Sequence, residues 1–232
     1  MSILLESDAN TPVQSHFDEL TFRTTIVFLS VVLLSFGWLL IIDSVLAGLL
    51  NHLQPCPDAC LNVYEPAEWS VVRWLTAIIL GILSALPLSV HHFLQFAKPG
   101  LLPGEFRALR RWTLGGTLGL TLLSAGMLGW LFPWAYDAGH QHHLSVNLVA
   151  QYNAVDILLY AVLSVWMLMI FTFTWMSLIF LGKGGMLNQQ TAGFWRWRIY
   201  GFGTVLLLLS VPERSTGFGL LLLLVYWFSS ET

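Results

Sequence analysis

Four basic residues and one carboxylate fall within the nineteen positions from Leu94 to Trp112: Lys98, Arg107, Arg110 and Arg111 around Glu105. They separate two long apolar runs. Charge at this density is too costly to place in hydrocarbon, so the stretch marks a membrane surface and a candidate binding face. Cys56 and Cys60, written CPDAC, are the only two cysteines and a candidate disulfide if their loop faces an oxidising compartment. His91 and His92 are adjacent and point in different directions on a helix, which disfavours a metal pair. GHQHH, with His140, His142 and His143, lacks a cysteine or carboxylate at a firm helical offset and reads as a solvated loop. No metal and no cofactor are expected. No nucleophile with an adjacent base, P-loop or dinucleotide fingerprint is present, so the chain is not expected to be an enzyme.

The elements that must position these residues are set by composition. Of 232 residues, 56% are hydrophobic and 10% charged, and the mean hydropathy is +0.71. A soluble domain carries roughly 25% charged residues, so this is a polytopic, all-α membrane protein. The net charge of −3 decides nothing. No Gly/Ser-rich, Pro-rich or charge-rich linker divides the chain, which predicts one bundle over 1–232.

Ser15 or Asp18 is the expected cap of the first helix, with Glu19 in its first turn. Apolar runs predict spans over about 24–50, 71–96, 113–134, 157–181, 199–211 and 217–228. The first contains Asp43 toward its far end, read as an interfacial carboxylate. The second contains Pro87, with Arg73 and Trp74 as interfacial anchors where it begins. The third is glycine-rich and is expected to end at Pro133 and Trp134. The fourth has no charge within it. The last two are short and flank Pro212-Glu213-Arg214-Ser215 as a hairpin.

Basic residues fix the orientation. With the N-terminus inside, the cytoplasmic side receives Arg23, Lys98, Arg107, Arg110, Arg111, Lys183, Arg196 and Arg198, and the outside keeps Arg73 and Arg214. That imbalance predicts six spans with both termini inside, and it puts the cysteine loop outside, as in a prokaryotic plasma membrane.

His16-Phe17-Asp18-Glu19-Leu20-Thr21-Phe22-Arg23 resembles the HLxELRxR pattern at the first span of the TatC family, the polytopic component of the twin-arginine protein translocase. Ala85-Leu86-Pro87, Phe96-Ala97-Lys98-Pro99-Gly100-Leu101, Glu105 and Arg107 resemble that family's ALPxxxxQxxxFxxPGLxxxER segment. Pro133 after a phenylalanine, and Pro212-Glu213, match in place. The resemblance covers nearly the whole chain. It implies a receptor on the cytoplasmic face for signal peptides with paired arginines. It further implies TatA- and TatB-like single-span partners, a homo- or hetero-oligomer in the lipid bilayer, no nucleic acid, and export of folded proteins driven by the proton-motive force.

Two adjacent guanidinium groups call for carboxylates near a partly desolvated surface. The resemblance assigns that role to Glu19 and Glu105, with Phe96, Lys98, Pro99 and Arg107 shaping the site. Each acid also has a plainer reading: Glu105 neutralising Arg107 or Arg110, and Glu19 favouring its helix start. Pro87, Pro133, Thr174, Pro212 and Glu213 are implied structural or partner-contact positions. Two departures from the family bear on function. Thr21 replaces an arginine, and Phe171-Thr172-Phe173-Thr174-Trp175 carries threonines where many relatives have a buried glutamate or glutamine; Thr174 is expected to bond its own helix backbone. The alternative reading, a small-molecule or ion transporter, calls for internal repeats or mid-membrane ionisable residues, and neither is found in the sequence.

Overall fold

A computed structural model of the chain describes residues 13–56, 60–64, 66–147, 151–183 and 192–210. Its helices are α1 (Val13–Leu39), α2 (Ile42–Leu53), α3 (Pro66–Ala97), α4 (Pro103–Gly126), α5 (Phe132–Ser145), α6 (Ala154–Lys183) and α7 (Ala192–Ser210). Two-residue strands β1 (Leu61–Asn62) and β2 (Tyr152–Asn153) pair in parallel, Leu61 opposite Tyr152 and Asn62 opposite Asn153. Among the described residues, four helical stretches are long and apolar enough to cross a membrane: Gln14–Leu39, Ala67–Ala97, Pro103–Ser145 and Ala154–Ser177. The chain is an all-α membrane protein.

Four sequence expectations need correction. The run 24–50 is not one helix. Leu40 N–H reaches Gly37 O at 3.3 Å and Ile41 N–H reaches Trp38 O at 3.1 Å, tightening and ending α1. The chain restarts as α2 with Asp43 in its first turn, where a carboxylate complements the helix dipole. There Asp43 pairs with Arg73 of α3 at 2.9 and 3.0 Å, so Arg73 is an ion-pair partner as well as an anchor. Second, Ser15 and Asp18 lie inside α1, which already runs from Val13, so neither caps it.

Third, Pro133 does not end a helix. Met127–Leu131 forms a π-helical turn and α5 continues from it without a break, so Pro133 lies inside one helical stretch from Pro103 to Ser145. His140, His142 and His143 are therefore helical, not in a loop. Fourth, α7 begins at Ala192, ahead of the start near 199 expected for the fifth span. The Pro212-Glu213 hairpin and the sixth span lie outside the described residues.

The chain clusters into two compact units. One comprises Met1–Arg23, Val90–Leu120 and Trp166–Thr232; the other comprises Thr24–Ser89 and Thr121–Val165. In the second unit, Ile42, Leu46, Val72, Val155, Leu158 and Leu163 are buried with no exposed surface. Here α1 and α3 touch closely, since a Cβ on Gly81 would lie 2.9 Å from Ser35 N. Trp38 Nε1 donates to Ser84 Oγ at 3.0 Å, and Phe36 meets Trp74 edge-on at 6.3 Å. In the first unit, Met169, Ile170, Leu109 and Tyr200 are buried. Trp112 of α4 packs edge-on against Trp175 of α6 at 5.7 Å, and a Cβ on Gly203 of α7 would come within 2.9 Å of Ile170 Cγ2.

Candidate functional site

Both acids singled out by sequence belong to the first unit. The turn carrying Glu105 follows from three residues. Pro99 cannot continue a helix and Gly100 follows it, so α3 stops at Ala97, with Lys98 N–H closing the last turn on Leu94 O at 3.1 Å. Pro103 begins α4, as its missing N–H and fixed φ allow. Glu105 then stands in the first turn, and its Oε2 accepts the Leu102 backbone N–H at 3.1 Å, the reaching-back half of a capping box. Arg107 Nε donates to Pro103 O at 3.3 Å. Lys98, Arg107, Arg110 and Arg111 are all exposed, giving an electropositive surface on this loop and the first turns of α4. Phe96 is half-buried and Pro99 exposed.

Glu19 sits in α1 with Arg23 one turn later. Arg23 Nη2 and Nε donate to Glu19 Oε1 at 2.6 and 2.9 Å. The third nitrogen, Nη1, donates to Gln95 Oε1 of α3 at 2.7 Å, with His92 Nδ1 at 3.5 Å. Gln95 Nε2 lies 2.9 Å from His91 Nε2. The spacing i, i+4 brings acid and base together on one helix face; Gln95 and His92 then bind that pair to the end of α3. Glu19 therefore does more than favour a helix start. It already holds a guanidinium, and His91 and His92 serve this polar network.

Thr174 Oγ1 bonds Ile170 O at 2.7 Å and Thr172 Oγ1 bonds Leu168 O at 2.8 Å, so both buried hydroxyls are satisfied within α6. Pro87 lies inside α3. In the second unit Cys56 and Cys60 are joined as a disulfide with their Cα atoms 6.4 Å apart. Two features there escaped the sequence. His140 and His143 both direct Nδ1 at the Tyr152 hydroxyl, at 3.2 and 3.0 Å, and the i, i+3 offset could have revealed that they share a face once the segment was known to be helical. His52 Nε2 donates to Gly129 O in the π-helical turn at 3.1 Å. Among the described residues no group of three or more His, Cys, Asp or Glu is placed to hold a metal.

Comparison with known proteins adds one match. A family model described as Sec-independent protein translocase protein (TatC) matches residues 15–222. No curated protein and no solved structure matches.

Proposed function

The chain belongs to the TatC family and is a Sec-independent protein translocase component in the membrane; from that premise we propose that it is the membrane core and signal-peptide receptor of a twin-arginine translocase. Glu19 and Glu105 receive the paired arginines on the cytoplasmic face, with Phe96, Lys98, Pro99 and Arg107 shaping the surface around them. Single-span partners join it, folded cargo is moved with the proton-motive force, and the host membrane is the plasma membrane of a prokaryote. The chain has six spans with both termini inside. Thr174, Pro87 and Pro133, and Pro212 and Glu213 outside the described residues, serve helix packing and partner contact.

The observation that carries the receptor reading is the Glu19 carboxylate, which accepts two nitrogens of one guanidinium at 2.6 and 2.9 Å. A planar, two-nitrogen contact is the recognition that an ammonium cannot reproduce. The test is photocrosslinking. A twin-arginine signal peptide with a photoreactive residue beside its arginines should label the Glu19 segment of α1 or the 98–107 loop in membranes holding the full chain. Labelling confined to other segments, or unchanged when the arginines become lysines, would remove the assignment.

A further inference from the structure

Within the second unit, faces of α2, α3, α4 and α6 border a cavity of about 340 Å³. Thr76, Ile79, Leu80 and Leu83 line it from α3 at the i, i+3, i+4, i+7 spacing of one helix face. Thr121, Ser124 and Ala125 line it from α4, and α2 and α6 add only valine and leucine. Among the described residues, no aromatic and no charged side chain borders it. Two hydroxyls on this aliphatic wall stand out. Thr76 is 6% exposed and Ser124 5%, and neither Thr76 Oγ1 nor Ser124 Oγ has a hydrogen-bond partner among the described residues.

Other buried hydroxyls of the chain behave differently. Ser164, Thr172 and Thr174 of α6 and Thr204 of α7 are buried to a similar degree, and each donates to the carbonyl four residues back at 2.7–2.8 Å. A buried hydroxyl that forgoes such a bond costs free energy until an acceptor arrives. We propose that the cavity is a phospholipid site, in which an acyl chain lies along the aliphatic faces and ester carbonyl oxygens accept the Thr76 and Ser124 hydroxyls.

Depth and chemistry both favour that occupant. Thr76 follows the interfacial Arg73 by three residues, about 4.5 Å along a helix. The layer between headgroups and hydrocarbon is about 5–7 Å deep on each side of a bilayer, so the hydroxyl sits where lipid esters do. An apolar partner helix satisfies its own backbone groups and would leave both hydroxyls unbonded. Water could bond them but gains nothing from a wall of valine, leucine and isoleucine. A lipid ester matches both the wall and its two donors.

The experiment titrates the full chain, delipidated in detergent, with a diester phosphatidylglycerol and with its diether analogue, which has the same headgroup and chains but no carbonyl. Native mass spectrometry reads the affinities. Wild type should bind the diester about tenfold tighter, and the Thr76→Val, Ser124→Ala double variant should bring the ratio toward one by losing affinity for the diester alone. Thr76→Val, which keeps the side-chain shape, carries the test if the double variant does not fold, and should narrow the ratio part of the way. A diester lipid with a diazirine in its acyl chain should label 76–83 or 121–128, and unlabelled diester should compete. Equal affinities in wild type, a ratio that the variants leave unchanged, or labelling confined to other segments would overturn the proposal. A thermal midpoint raised by an apolar transmembrane peptide and by neither lipid would make the cavity a helix-docking groove instead; a midpoint that responds to none of them would leave the hydroxyls to water, and either result sinks the lipid site.

Discussion

Glu19 and Glu105 are held in different ways, and the difference predicts how each responds to substitution. Glu105 bonds a backbone N–H at a helix start, whereas Glu19 bonds a side chain that can move. Glu105→Ala should therefore cost about 1 kcal/mol of stability through the lost cap in addition to any effect on binding. Glu105→Gln, which keeps an oxygen for Leu102 N–H, should lose peptide affinity with little change in thermal midpoint. Equal losses of affinity and midpoint in both variants would make Glu105 a helix cap and nothing more. Tyr152→Phe removes the hydroxyl shared by His140 and His143 and should destabilise the chain by about 1 kcal/mol. Burial pushes the Tyr152 phenol above its ordinary value of 10.0. The folded chain thus holds that proton more firmly, and the contribution is complete below pH 10.0 and fades as pH rises through the raised value. A difference between wild type and Tyr152→Phe that grows with alkalinity would contradict this sign.

At the scale of elements, two glycines make a test of close packing. A Cβ on Gly81 would lie 2.9 Å from the Ser35 backbone nitrogen, which cannot rotate away. Gly81→Ala should cost about 1–3 kcal/mol by overpacking. Gly115 has nothing within 4 Å, so Gly115→Ala should be neutral or stabilising in the same thermal melt. What the sequence revealed here and what it hid have physical reasons. Pro99, Gly100 and Pro103 announce the turn before Glu105 because each removes or frees a backbone constraint that helices need. The break at Leu40 and Ile41 carries neither proline nor glycine; apolar side chains run through it on both sides, and the Asp43 to Arg73 pair, thirty residues apart, depends on how α2 and α3 pack. Pro133 misled in the opposite sense, since the helix runs on past it through a π-helical turn, and His52, far away in sequence, bonds Gly129 O in that turn. The Glu19 to Arg23 pair was legible as an i, i+4 spacing, whereas its tie to Gln95, 72 residues away, depends on how α1 and α3 pack.

For the whole molecule, membrane class follows from composition, and the family match accords with the order and spacing of short motifs that singly are weak. The proposed orientation rests on the sequence alone, with Arg23, Lys98, Arg107, Arg110, Arg111, Lys183, Arg196 and Arg198 on one side of the expected spans against Arg73 and Arg214 on the other. In intact cells, Lys98→Cys should resist a membrane-impermeant maleimide that labels Asn62→Cys, and inverted vesicles should reverse the result. Labelling of both from one side would undo the topology. Because Cys56 and Cys60 are joined, wild type should show no free thiol until reduced, and its intact mass should then rise by two hydrogens.

The most direct test of the central claim is the equilibrium affinity of the full chain for Arg-Arg against Lys-Lys signal peptides, compared between wild type and the Glu19→Gln, Glu105→Gln double variant. The receptor account predicts a preference of at least about tenfold in wild type that collapses toward one in the double variant, with both affinities falling as salt is raised. A preference that survives loss of both carboxylates, or that is absent from wild type, would contradict it.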